Sequence, residues 1–164
     1  MIIVFLVLLV SCFVYFERNK VSIKLDSCID GDTAWFIIKG NREKVRFLGI
    51  DTPESTNVKE EYGKDASDYT CDILKKANNI YIEYDNNSSR RDKYDRMLGW
   101  IFVDDKNLSE LLVIKGLAEV KYIYGDYKYI DNLCSSQYEA YLSKVGIWNL
   151  YNYTLNYCYK KGYS

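Results

Sequence analysis

The chain has 164 residues, 48% hydrophobic and 27% charged, with 22 Lys and Arg against 23 Asp and Glu and a formal net charge of −1. That is enough chain for one domain with terminal extensions, and its bulk charge excludes a polyanion ligand held by overall charge, so any phosphate binding has to be local. There is no histidine, which excludes every Ser-His and Cys-His nucleophile pair and leaves hydrolytic chemistry to carboxylates, Arg, Lys, Tyr or a hard metal ion.

Residues 2–16, IIVFLVLLVSCFVYF, are apolar apart from Ser11 and Cys12. A membrane span needs about 20 such residues, so residues 1–20 read better as a secretion signal. Leu9-Val10-Ser11-Cys12 resembles a bacterial lipoprotein cleavage box. A short uncleaved membrane anchor followed by Glu17, Arg18 and Lys20 is the rival, and a buried N-terminal strand or helix is the third reading. The first two place the chain outside the cytoplasm, secreted or attached to a membrane. Without Cys12, the cysteines at 28, 71, 134 and 158 allow three disulfide pairings, and isolated buried thiols explain them equally well.

From Val21 the texture becomes β-rich. VSIKLDSCI (21–29), TAWFIIKG (33–40) and EKVRFLGI (43–50) are β-branched or aromatic runs separated by Asp30-Gly31 and Gly40-Asn41-Arg42. These are turn signals, and three successive antiparallel strands follow. Tyr62, Ala66, Tyr69, Ile73 and Ala77 recur at helical spacing through 60–77. NIYIEYD (79–85) and MLGWIFVDD (97–105) read as two more strands. Asn107 followed by Glu110 is a capped helix start ahead of LSELLVIK, which stops at Gly116. A last helix spans 130–145 and ends at Gly146, leaving 149–164 as a C-terminal extension. Three strands, a helix, two strands and two helices is the order of an α+β fold built on a small closed barrel of the OB type. The body of the domain is then 21–148.

Asp30-Gly31-Asp32-Thr33 closes the first turn, which by itself is ordinary turn chemistry. RFLGIDTPE (46–54) carries Pro53, the single proline of the chain, between Asp51 and Glu54. A proline cannot continue a strand ladder, so Asp51 falls at a strand end. Barrel closure brings Asp32 beside it, and two carboxylates with a backbone carbonyl form a hard oxygen site suited to Ca²⁺. Glu54 then holds or deprotonates a water. Arg46 lies five residues before Asp51, at opposite strand parity, so a bulge or strand end must intervene for the two to converge. SSRRDKYDR (88–96) places Lys93, Tyr94 and Arg96 together; it is either a phosphate clamp or a solvated charged loop. KYIYGDYKY (121–129) is either a base-stacking platform or an aromatic strand end.

Taken in order, IDGDT, RFLGIDTPE, DKYDR before a hydrophobic strand, GLAEVKYIY and a late GIW closely resemble the staphylococcal nuclease (thermonuclease) family, over Ile23 to Trp148. The resemblance implies a five-stranded OB-type barrel with three helices, most simply a monomer, cleaving DNA and RNA with little sequence preference and leaving 3′-phosphate ends. It implies Asp32 and Asp51 as Ca²⁺ ligands, with the main-chain carbonyl of Thr52. It makes Glu54 the carboxylate that positions or activates water, and Arg46 and Arg96 the groups on the scissile phosphate. Lys93, Tyr94, Tyr122 and Tyr124 match positions that bind nucleotide phosphate and base. Degenerate family members that only bind nucleic acid or protein are the alternative, but such members lose the acidic and Arg positions retained here. Asp95 stands where the family often has glycine, and an Asp95–Arg96 ion pair is the expected competitor with phosphate.

Overall fold

The computed structural model describes residues 20–56, 59–150, 153, 155, 157, 158 and 162. The apolar segment at residues 1–19, with Cys12, lies outside them. Among the described residues no helix is long and apolar enough to cross a membrane.

The first three apolar runs form a meander. β1 (Lys20–Asp30) pairs antiparallel with β2 (Thr33–Ile38), and β2 with β3 (Asn41–Phe47). The third run is not one strand. Leu48 and Gly49 turn the chain, and β4 (Ile50–Asp51) leaves the barrel. Gly49 has φ of 77°, and a Cβ there would sit 2.9 Å from Trp100 Cη2, so only glycine fits. β1 also pairs, through Lys20 to Ile23, with β5 (Ile80–Glu83), which pairs with β6 (Met97–Val103). Parallel pairing of β3 with β6 through Val45, Arg46 and Phe47 closes the five-stranded barrel. Bulges between Leu25 and Ser27 and between Cys28 and Asp30 bend β1 so that it serves both halves. Ala34, Phe36, Val45, Phe47, Ile82 and Trp100 fill the interior.

Helix α1 (Gly63–Lys76) lies against β1, with Ala66 and Leu74 buried. A Cys28–Cys71 disulfide joins the two, and Thr70 Oγ1 donates to the Gly31 carbonyl at 2.6 Å. After the short β7 (Lys106–Asn107), Asn107 caps α2 (Leu108–Ile114) by accepting from the Ser109 amide at 3.0 Å. Glu110 is engaged instead by Ser136 Oγ at 3.3 Å, so the expected cap is made on one side. β8 (Glu119–Val120), absent from the sequence reading, pairs with β4. Helix α3 (Ile130–Leu142) ends three residues before Val145, whose backbone is already extended. A 3₁₀ turn at Gly146–Asn149 follows. The extension packs back through a Cys134–Cys158 disulfide and a Tyr153 ring 6.1 Å from Trp148. Of the three possible pairings of these four cysteines, the structure therefore takes 28–71 with 134–158.

Candidate active site

The β1–β2 turn sets the first carboxylate. A Cβ at Gly31 would lie 2.7 Å from Thr52 Oγ1 and 2.9 Å from Ala66 Cβ, so glycine allows the turn, α1 and the Pro53 segment to meet. Asp32 is buried in that turn, one residue before β2. Its Oδ1 accepts from Thr33 Oγ1 at 2.9 Å and its Oδ2 from the Thr52 amide at 3.1 Å. The Phe47 amide donates to the Asp32 carbonyl at 2.8 Å, which fastens the turn to the end of β3.

The parity conflict between Arg46 and Asp51 is resolved by the Leu48-Gly49 turn. Because β3 stops before β4 begins, the buried Arg46 guanidinium reaches both acids. Nη1 pairs with Asp32, and Nη2 pairs with Asp51 at 2.8 Å while donating to the Ile50 carbonyl at 3.1 Å. Burial pulls the Arg46 guanidinium below its ordinary range and the Arg96 charge adds to this, whereas Asp51 opposes both. Lys121, beside β8, is a second cation on Asp51, at 3.0 Å, and also pairs with Glu119 at 2.7 Å. Desolvation would lower its ammonium, but those two carboxylates raise it well above the usual lysine range.

Glu54 is exposed just beyond the buried Pro53. Its main chain is pinned on both sides, the amide donating to Glu60 Oε2 at 2.8 Å and the carbonyl accepting from the Glu60 amide at 2.9 Å. Thr56 Oγ1 donates to its carboxylate at 3.4 Å. Partial desolvation pushes the Glu54 carboxyl up, reinforced by the charge and hydrogen bond of Asp30 and by the charge of Asp51.

Arg96 is oriented by Asp92, not by Asp95. Its Nε and Nη2 both meet Asp92 Oδ2 at 2.7 Å. Asp92 Oδ1 accepts from the amides of Tyr94 at 2.9 Å and Arg96 at 3.0 Å, shaping the loop. Partial desolvation works against the Asp92 charge, yet Arg96 and these amides hold its carboxyl below the ordinary range. The expected Asp95–Arg96 pair is not formed. Asp95 has φ of 61°, the left-handed backbone that glycine tolerates best, and its outward side chain faces Arg91 at 3.5 Å instead.

Asp32, Arg46, Asp51, Glu54, Asp92 and Arg96 line one cleft of about 990 Å³, with Lys93 on its wall and Tyr94, Tyr122 and Tyr124 exposed around it. The Arg96 guanidinium lies 5.5 Å from the Tyr94 ring, and that of Arg46 lies 5.7 Å from Tyr122. Thr52 does not line the cleft, but its amide holds Asp32. Its Oγ1 is buried without a hydrogen-bond partner among the described residues. No three acidic, His or Cys side chains converge as a ready metal cage among the described residues. Asp30, Lys44, Asp92 and Lys121 were not singled out from sequence. The i, i+4 spacing of Asp92 and Arg96 and the shared parity of Lys44 and Arg46 were the available signals. Lys121 had none, because it meets Asp51 only through the β4–β8 pair.

Residues 44–150 match the family described as staphylococcal nuclease homologue. The chain is similar to Endonuclease YncB of Bacillus subtilis (strain 168), 37% identical over 144 residues, covering 85% of this chain and 67% of that protein. It is 37% identical over 140 residues to the SPbeta prophage-derived endonuclease YokF of the same organism, covering 83% of this chain but only 47% of that one. The Thermonuclease of Staphylococcus hyicus is 32% identical over 136 residues, covering 81% of this chain and 79% of the relative.

Proposed function

The chain belongs to the staphylococcal nuclease family, and from that premise we propose that it is a Ca²⁺-dependent phosphodiesterase cleaving DNA and RNA with little sequence preference and leaving 3′-phosphate ends. The observation that carries the proposal is the convergence of Asp32, Arg46, Asp51, Glu54 and Arg96 from separate segments onto one cleft.

The donor set suits a hard cation. Asp32 and Asp51 lie close enough to share one guanidinium, and the Thr52 amide donates to Asp32, which sets the Thr52 main chain beside that carboxylate. Asp32, Asp51 and the Thr52 carbonyl would hold Ca²⁺, with water completing the shell as calcium's oxygen coordination requires. When bound, the ion neutralises phosphate charge and lowers the pKa of a ligated water.

The remaining work falls to side chains of this chain. Glu54 accepts the proton of the attacking water, and its upward shift makes it a stronger base than an ordinary glutamate. Arg96, held flat by Asp92, donates to phosphate oxygens and meets the charge that develops on the leaving oxygen. Arg46, which donates to the Ile50 carbonyl, supplies the second guanidinium in the cleft. Lys93 and Tyr94 hold the neighbouring phosphate, while Tyr122 and Tyr124 offer rings to the bases.

Export is part of the proposal. The two disulfides found among the described residues suit an oxidising compartment, and residues 1–20 would direct or anchor the chain. The test is digestion of single-stranded DNA with Ca²⁺ and with chelator. Glu54→Gln and Arg96→Ala are each expected to lower kcat by roughly 10²–10³-fold with the fold intact. Cleavage unchanged by chelator, or unchanged in both variants, refutes the proposal.

A further inference from the structure

We infer that the cleft continues along β3 as a binding track for the nucleic-acid strand next to the cleaved phosphate, built from Lys44, Trp35 and Arg42. The inference rests on the nuclease reading and extends it to residues outside the reacting centre.

The strand register creates the track. Thr33 pairs with Arg46, Trp35 with Lys44, and Ile37 with Arg42. Val45 and Phe47 point into the barrel, so Arg46, Lys44 and Arg42 share the outer face with Trp35. Arg46 and Lys44 both line the cleft. Alternate residues of a strand are about 7 Å apart, the scale of one nucleotide step in an extended single strand. Moving from Arg46 to Lys44 to Arg42 therefore leads out of the cleft, away from the Asp51 end, with one cation per step.

Each member has a distinct chemistry. Lys44 is half-buried and has no carboxylate partner among the described residues; Glu43, of opposite parity, is taken by Arg91 at 2.8 Å. Such an ammonium beside the reacting centre is suited to a phosphate. The Arg42 guanidinium lies 4.0 Å over the Trp35 ring, held there by Asp26 at 2.9 Å and by Ser27 Oγ at 3.4 Å. Asp26 compensates much of the Arg42 charge, and the product is a flat, preformed guanidinium–indole stack. Bases stack on both aromatic rings and Arg planes with little regard to sequence. A protein with a formal net charge of −1 gains strand affinity from such a local platform instead of from its overall field.

Fluorescence offers a direct readout. Trp100 and Trp148 are 0% and 5% exposed, so half-buried Trp35 is the tryptophan open to a ligand. In EDTA, the oligonucleotide dT12 should quench intrinsic fluorescence as it binds, with anisotropy of labelled dT12 reporting binding separately. Lys44→Ala should weaken dT12 binding roughly three- to tenfold and reduce the slope of log K against log salt by about 0.7, the loss of one phosphate contact to a single strand. Arg42→Ala should weaken binding and change the quench, and Trp35→Leu should abolish it. With Ca²⁺, Lys44→Ala should raise KM on dT12 while kcat stays within twofold. Unchanged affinity and salt slope in both Lys44→Ala and Arg42→Ala, with a wild type that still cleaves dT12, overturns the track alone. A wild type that neither binds nor cleaves dT12 overturns the nuclease reading and the track with it.

Discussion

Replacing Cys28 and Cys71 together by alanine removes a covalent link across 43 residues of chain. Loop-closure entropy for that separation amounts to about 4 kcal/mol at 25 °C, against about 3.5 kcal/mol for the 24 residues between Cys134 and Cys158. For a chain of this size, 4 kcal/mol corresponds to a fall in Tm of roughly 12 °C. The two links differ more in what they restrain. Cys71 follows Thr70, whose hydroxyl donates to the Gly31 carbonyl, so the Cys28–Cys71 link clamps α1 on the turn that carries Asp32. The double variant should therefore lose about 4 kcal/mol in urea unfolding and also several-fold in kcat at temperatures where it is fully folded, since small misplacements of reacting groups are costly. Cys134→Ala with Cys158→Ala should lose similar stability with kcat within twofold. A stability loss under about 1 kcal/mol would refute the entropic reasoning. Equal kcat in both double variants would refute the clamp.

Glu54 must be deprotonated to take a proton, and its carboxyl is raised, so the acid limb of the kcat profile should lie above the ordinary glutamate value of 4.5. Asp30→Asn removes one charge that raises it, and should move that limb to lower pH. Lys121→Ala frees Asp51 from a competing ammonium and should tighten Ca²⁺ binding roughly three- to tenfold by calorimetry; weaker or equal binding contradicts a competitive role. Gly49→Ala forces a left-handed alanine against Trp100 and should cost about 3 kcal/mol in urea unfolding.

Alternation and turn residues made most strands readable. Val45 and Phe47 against Arg46 already assign an inner and an outer face, and Asp30-Gly31 marks the first turn. The break at Leu48-Gly49 was not legible, because LGI continues an apolar run, and the left-handed backbone and the Trp100 contact that demand glycine there exist only in the fold. Helix α3 was overextended for a related reason: Val145 fits the period, while its backbone obeys the close packing around Gly146. The candidate site residues came from the order of the motifs and their resemblance to the nuclease family. Their partners did not, as the transfer of Arg96 from Asp95 to Asp92 shows.

The order of residues alone determined which chemical groups this protein has for its task. It supplies carboxylates around a lone proline, two arginines and no histidine, so the chemistry proposed for it draws on acids, guanidinium groups and a hard ion. Local periodicity also determined which face of each strand looks inward, since that depends only on neighbours along the chain. The tertiary structure decided which of those groups meet. Arg46 between Asp32 and Asp51, Lys121 on Asp51, and the pairing of the four cysteines depend on β3 closing on β6, on β4 pairing with β8, and on the helices docking. Such contacts join residues far apart in the chain, and their geometry is set by the packing of the whole barrel.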